Sequence, residues 1–136
     1  MLGKKKYKTA RCILRCEGAV LLAVHSSFWS KPNRRWGLPG GGIESRETPM
    51  NAARRELREE LELHLDQLIE IGSFAYKGHQ HMVYGADIPR QIQNYDDNEL
   101  LDTAWYSMPE LEKLAADGKL HAGYELEAAQ LFFENN

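Results

Sequence analysis

Between Gly41 and Leu63 the chain reads GGIESRETPMNAARRELREELEL, a glycine-rich turn followed at once by a helix that concentrates carboxylates at Glu56, Glu59 and Glu60. Thr48 is suited to cap that helix and Pro49 to occupy its first position, so the helix is predicted to run from Pro49 to about Leu61. At roughly 100° per residue its side chains sort into three arcs. Met50, Ala53, Leu57 and Leu61 form an apolar stripe that demands a surface to pack on. Glu56 and Glu60 lie beside the stripe with Glu59 close by, while Arg54, Arg55, Arg58 and Glu62 fill the remaining face.

Like charges at (i, i+4) spacing repel by about 0.2 to 0.5 kcal/mol per pair on an exposed helix, so the three acids cost stability unless a cation neutralises them. Two readings follow. One is a solvated face in which Arg55 with Glu59 and Arg58 with Glu62 are ordinary helical pairs. The other is a seat for Mg2+ (or Mn2+), a hard ion that prefers carboxylate oxygens and is often shared with the phosphates of a substrate. The preceding glycines favour the second, because Gly40, Gly41 and Gly42 let the backbone come close to an ion where a side chain would block it.

With these residues in view the chain resembles the Nudix hydrolases. Gly41, Glu47, Arg55, Glu56, Leu57, Glu59, Glu60 and Leu63 fall in the register of that family's signature, and Trp36-Gly37-Leu38-Pro39-Gly40 resembles its usual approach. The one departure is Glu62, where the family has glycine. Glycine there would end the helix in the left-handed conformation, so Glu62 predicts that the helix ends differently or runs on by a residue or two. The resemblance implies an α/β (α+β) fold, the Nudix α/β/α sandwich with a mixed β-sheet. It also implies MutT-like hydrolysis of a phosphoanhydride bond by a nucleotide pyrophosphohydrolase.

Carried over residue by residue, the resemblance implies Glu56, Glu59 and Glu60 as metal ligands, with a backbone carbonyl of Gly40 or Gly41 as a further one. Arg55 is read as an orienting partner for the carboxylates. Glu47 and Gly42 are expected to position the loop. Glu99, in the acidic segment ahead of Trp105, is a candidate base or extra ligand, against the alternative of a solvated acidic loop. Weaker candidates for substrate contact are Phe28 and Trp29 for stacking on a base, Arg34 and Arg35 for phosphate, and His79 or His81 at a strand start.

The remaining sequence sets bounds. With 136 residues, 43% apolar and 27% charged, the chain suits a single enzyme domain, residues 1–136, with residues 1–6 expected as a flexible arm. The lysine-rich start leads into no apolar signal core, which makes a cytoplasmic location the default, and no apolar run is long enough to span a bilayer. A net charge of −3 offers no general attraction to nucleic acid. Cys12 and Cys16, if on one strand, stand about 13 Å apart at roughly 3.3 Å per residue, too far for a disulfide.

Periodicity predicts strands at 7–14, 20–25, 68–76, 81–88 and 103–107, and helices at 109–116 and 124–133, with 36–42 too rich in glycine for much regular structure. The last helix, with Leu131, Phe132 and Phe133, could as easily close the core as form a homodimer. At the positions beyond the signature where ADP-ribose enzymes carry a marker proline and dinucleoside-polyphosphate enzymes a tyrosine, this chain has Gly78 and His79. By elimination the expected substrate is a small-molecule nucleotide, an ordinary or oxidised nucleoside triphosphate cut to monophosphate and pyrophosphate. The alternatives are a nucleotide sugar, ADP-ribose or dinucleoside polyphosphate, or a nucleotide-binding sensor without turnover.

Overall fold

The structure, a computed structural model, describes residues 6–26 and 34–136. Phe28, Trp29 and almost all of the expected N-terminal arm lie outside the described residues. Among the described residues six strands and three helices follow one another as β1 (Thr9–Cys16), β2 (Ala19–His25), β3 (Gly40–Gly42), α1 (Pro49–Leu61), β4 (Ile69–Tyr76), β5 (His79–Asp87), β6 (Leu100–Ser107), α2 (Met108–Ala116) and α3 (Tyr124–Asn135). The strands form one sheet in the order β4-β5-β1-β2-β6, with β3 paired to β1. Because β1 and β5 run parallel while the other pairs are antiparallel, the sheet is mixed.

Two hairpins share one turn chemistry. Glu17-Gly18 and Lys77-Gly78 all have positive φ, from 50° to 78°, which matches the twist of the flanking strands. Beyond its turn the first hairpin opens. β1 and β2 pair only at Arg15 with Val20 and at Cys16 with Ala19, and residues 36–42 fill the gap. Gly37 exchanges both backbone hydrogen bonds with Ala23 at 2.8 Å, and the Pro39 carbonyl accepts from Cys12 N–H at 2.9 Å. The expected irregular segment therefore ends in a strand, Gly40–Gly42 against Thr9–Arg11. Glycine makes this possible: Gly40 has φ +135°, and a Cβ there would collide with the Ala10 carbonyl.

Helices cover both faces. On one, Ala52, Ala53, Leu57 and Leu61 of α1 pack on Ala10, Cys12 and Leu14. On the other, Leu111 of α2 and Ala128, Ala129 and Phe132 of α3 pack on Ile13, Val20, Leu22 and Val83. Each fully buried Leu or Phe adds about 1.5 to 3 kcal/mol, and Phe132 at 0% exposure spends its ring on this core. Both cysteines are free and buried, and burial pushes the Cys12 thiol up to about 12.

α1 begins as its sequence predicts, with Thr48 Oγ1 accepting from Asn51 N–H at 3.1 Å. Its end corrects an expectation. Glu62 takes the left-handed conformation itself, φ 52° and ψ 34°, so the helix stops at Leu61 as it would with glycine. Leu63 N–H donates back to the Leu57 carbonyl at 3.2 Å, and Leu63 packs on the core. Those tertiary contacts outweigh the roughly 1 to 2 kcal/mol that a side chain costs in this region.

Candidate functional site

The wedge between β1 and β2 delivers three glycines to the side of α1, and there the acids gather. Arg55 is their hub, with its side chain only 15% exposed. It donates to both oxygens of Glu47, from Nε at 2.8 Å and from Nη2 at 3.0 Å. Nη1 donates to Glu56 Oε2 at 3.2 Å and to Glu59 Oε1 at 3.1 Å, and Nη2 also reaches the Gly42 carbonyl at 2.9 Å. Glu47 closes the loop by accepting from Glu44 N–H at 2.9 Å. One cation thus ties loop, strand and helix together, and its partners hold it charged well above the usual arginine range.

The three cluster acids differ in depth. Glu59 is half exposed, its side chain at 49%. Glu56 presses on Gly41, where a Cβ would come within 2.5 Å of its Oε2. Glu60 is 2% exposed, and its Oε1 accepts from Gly40 N–H at 3.0 Å. Burial raises the proton affinity of Glu56. For Glu60, burial, helped by the charges of Glu56 and Glu99, pushes the carboxyl up to about 8. A carboxyl this deep, in a crowd of acids, calls for a positive charge to keep it ionised.

The donor set fits a hard divalent cation, since it offers carboxylate and carbonyl oxygens around a glycine strand that leaves room for one. Among the described residues, though, no three acid, histidine or cysteine side chains already converge as they would around an ion. Arg55 draws Glu56 and Glu59 aside, Glu60 points inward, and the Gly40 carbonyl accepts from Arg11 Nη1 at 3.0 Å. Glu99 lies close enough for its charge to act on Glu60. Its loop is fastened to the helix end by Asp96 N–H donating to the Glu60 carbonyl at 2.8 Å.

On the opposite face of β1 a small recess opens beside the same loop, lined by Arg11, Leu38, Tyr76, His81, Tyr124 and Glu125 among others. His81 is buried, accepting at Nδ1 from Thr9 Oγ1 at 2.7 Å while Nε2 donates to the Tyr76 carbonyl at 3.2 Å. Its ring stacks near Tyr124, centroids 5.9 Å apart, and burial raises the Tyr124 hydroxyl to about 12. Glu125 anchors the start of α3 by accepting from Ala122 and Gly123 N–H at 3.0 and 2.7 Å. His79 is exposed at the strand start. Arg34 and Arg35 line a different recess with Asp117, Gly118 and Lys119; Arg34 pairs with Asp102 at 3.4 Å, and Arg35 donates to the Gly118 carbonyl at 2.9 Å.

Two residues at this junction were absent from the sequence-based candidates. Arg11 interrupts an inward-facing row of β1, and its guanidinium also reaches the Leu38 carbonyl at 3.3 Å. His25 ends an otherwise apolar strand and is 4% exposed. An arginine or histidine in a predicted core strand was the available signal.

The NUDIX domain family profile matches residues 6–126. A Mycobacterium tuberculosis protein provisionally named 8-oxo-dGTP diphosphatase 3 is 32% identical over 131 residues, covering 88% of this chain and 58% of its own. A Vibrio parahaemolyticus protein named NAD-capped RNA hydrolase NudC is 30% identical over 114 residues, covering 80% of this chain and 43% of its own. The chain thus spans about half the length of the curated relatives it matches. Among solved structures, a NUDIX family hydrolase of Clostridium perfringens superposes with a TM-score of 0.74 at 20% identity, covering 98% of this chain and 100% of the other, a likeness of fold. With the profile spanning most of the sequence and the signature acids gathered on α1 beside the glycine strand, the chain belongs to the Nudix hydrolase family.

Proposed function

We propose that this domain hydrolyses a phosphoanhydride bond of a nucleotide with Mg2+ or Mn2+ held by Glu56, Glu59 and Glu60, and that its substrate is an ordinary or oxidised nucleoside triphosphate cut to monophosphate and pyrophosphate. The observation that carries this reading is Glu60, a buried carboxyl bonded to the Gly40 amide in a cluster with one arginine and several acids. A divalent ion bound there supplies neutralisation of the charge that builds on the phosphate oxygens as the anhydride opens. Arg55 keeps Glu56 and Glu59 oriented and Glu47 keeps the loop closed, so the cluster sits on a fixed frame. One carboxylate of the set, or Glu99 beside it, takes the proton of the attacking water. The recess around His81 and Tyr124 receives the base, and Arg11 joins it to the glycine loop.

The name of the Mycobacterium tuberculosis relative supports an oxidised purine triphosphate within that class. The test is phosphate and pyrophosphate release across nucleoside triphosphates, oxidised nucleotides, ADP-ribose, sugar nucleotides and dinucleoside polyphosphates, with Mg2+ or Mn2+ and with Glu60→Gln as control. Selective turnover of triphosphates by the wild type alone is expected. Silence across the panel together with tight nucleotide binding would replace this reading by that of a sensor.

A further inference from the structure

Arg11 brings a positive charge into the middle of the sheet, partly buried and flanked on β1 by Ala10 and Cys12, both at 0% exposure. Every group that it bonds is neutral. Nε donates to Thr9 Oγ1 at 3.3 Å, and Nη1 donates to the Leu38 and Gly40 carbonyls at 3.3 and 3.0 Å. The Thr9 hydroxyl gives its own proton to His81 Nδ1 at 2.7 Å. The guanidinium also reaches the hydroxyl of Tyr124, which burial keeps protonated. Arg15 and Arg55 differ on this point, since each pairs with a carboxylate, at 2.6 and 2.8 Å. Among the described residues no carboxylate pairs with Arg11, and the charges of Glu56, Glu60 and Glu125 act on it only from further away. A cation withdrawn from water without a paired anion is costly, and an arriving anion relieves that cost.

Two neighbours fix where such an anion would sit. Arg11 and Tyr124 line the recess assigned to the base, and Arg11 also holds Gly40 of the glycine strand beside the acids. A nucleotide with its base in the recess and its reacting phosphates at the acids carries the phosphate next to the ribose past Arg11. We propose that Arg11 is a substrate-binding residue whose guanidinium pairs with the phosphate attached to the ribose. The proposal rests on the reading of the recess as the base site and of Glu56, Glu59 and Glu60 as the cation site. It does not depend on the protonation of those acids. An ion that neutralises them removes the nearest competing anions and leaves the phosphate to pair with Arg11.

An arginine that merely ties down the glycine strand needs its donors, whereas one that binds phosphate needs its charge. The two can be separated. Arg11→Gln keeps an amide able to donate to a carbonyl but removes the charge, and Arg11→Lys keeps the charge on a single head. The probes are GMP and guanosine, with AMP and adenosine beside them, in NMR-detected titrations with Mg2+ present. Arg11→Gln is expected to bind the monophosphate about 10- to 100-fold more weakly than wild type and the nucleoside within about threefold, and Arg11→Lys should recover most of that loss. Glutamine that binds the monophosphate as wild type does, or that weakens monophosphate and nucleoside alike, would overturn the proposal, as would lysine as weak as glutamine. Failure of the wild type to bind any of the four would instead overturn the reading of the recess as a nucleotide site, and the proposal with it. A measurement on wild type covers the case of variants that do not fold. The side-chain Nε–H signal of Arg11 should shift on addition of the monophosphate and stay in place with the nucleoside, and no shift, or an equal one with both, would refute the contact.

Discussion

Arg15 and Arg55 each hold carboxylates, with opposite results. Arg15 makes two bonds to one partner, Asp87, at 2.6 and 2.9 Å, and a third to the Asn136 carbonyl at 2.8 Å. Its guanidinium lies 4.3 and 4.9 Å from the ring centres of Phe132 and Phe133. One positive charge meets one negative charge, and the pair fastens the end of α3 to the sheet. Arg55 also bonds bidentately to a single acid, Glu47, but then shares itself with Glu56 and Glu59, with Glu60 buried behind them. Its network is left with surplus negative charge. A balanced pair is complete as architecture, whereas the unbalanced one on α1 is the site we propose a cation completes.

The contrast is broken most severely at Glu60. Glu60→Gln should lower metal-dependent turnover by more than about 100-fold, beyond what loss of an outer partner costs, while the metal-free protein stays folded. Steady-state assays beside thermal melts would show both, and a variant with full turnover would remove Glu60 from the site.

Next come the arginines themselves. Arg15→Ala should cost about 1 to 2 kcal/mol through the lost ring and ion contacts, much of the ion pair being screened by solvent at Asp87, and Mg2+ should not restore it. Arg55→Ala should cost about 1 to 3 kcal/mol in metal-free protein and be partly restored by Mg2+, which would quench the repelling acids. Denaturant melts with and without Mg2+ separate the two, and equal rescue would erase the distinction.

Titration gives a smaller effect whose sign is fixed by two groups. Glu60 binds its proton up to about 8 when folded but only to 4.5 when unfolded, so its ionisation subtracts stability as pH rises between those values. His25 is lowered from 6.5 to about 3, so it adds stability as pH rises over that lower range and nothing more above it. Between about pH 6.5 and 8 only the Glu60 effect of this pair operates. Metal-free protein should therefore melt at falling temperature across that window, and Glu60→Gln should flatten the slope. A wild-type melting temperature that rises there would contradict the burial argument.

The smallest change is expected at Glu62→Gly, which relieves a left-handed glutamate and should stabilise by about 1 kcal/mol or less, with turnover unchanged. A large loss of turnover would give Glu62 a part in the site that its position at the helix end does not suggest.

What could be read from the chain follows the range of the forces involved. α1 begins at the predicted residue because Thr48 and Pro49 act within a few positions of one another. The layered fold and mixed sheet agree with the resemblance for the same reason, through local periodicity and two short turns. The glycine strand was not legible, because it exists only where β1 and β2 part to admit it. Glu62 misled because its conformation is imposed by Leu63 packing on a distant core. Arg11 and His25 were missed because their partners, the Leu38 and Gly40 carbonyls and Glu60, are brought near only by that same wedge.

The most direct test of the surplus-charge account is to locate the ion. In amide NMR spectra of wild-type protein titrated with substoichiometric Mn2+, resonances of Gly40, Gly41, Glu56 and Glu60 should broaden first while those around Arg15, Asp87 and the end of α3 stay sharp. Broadening that begins elsewhere, or that is uniform over the molecule, would contradict the assignment of α1 and the glycine strand as the cation site.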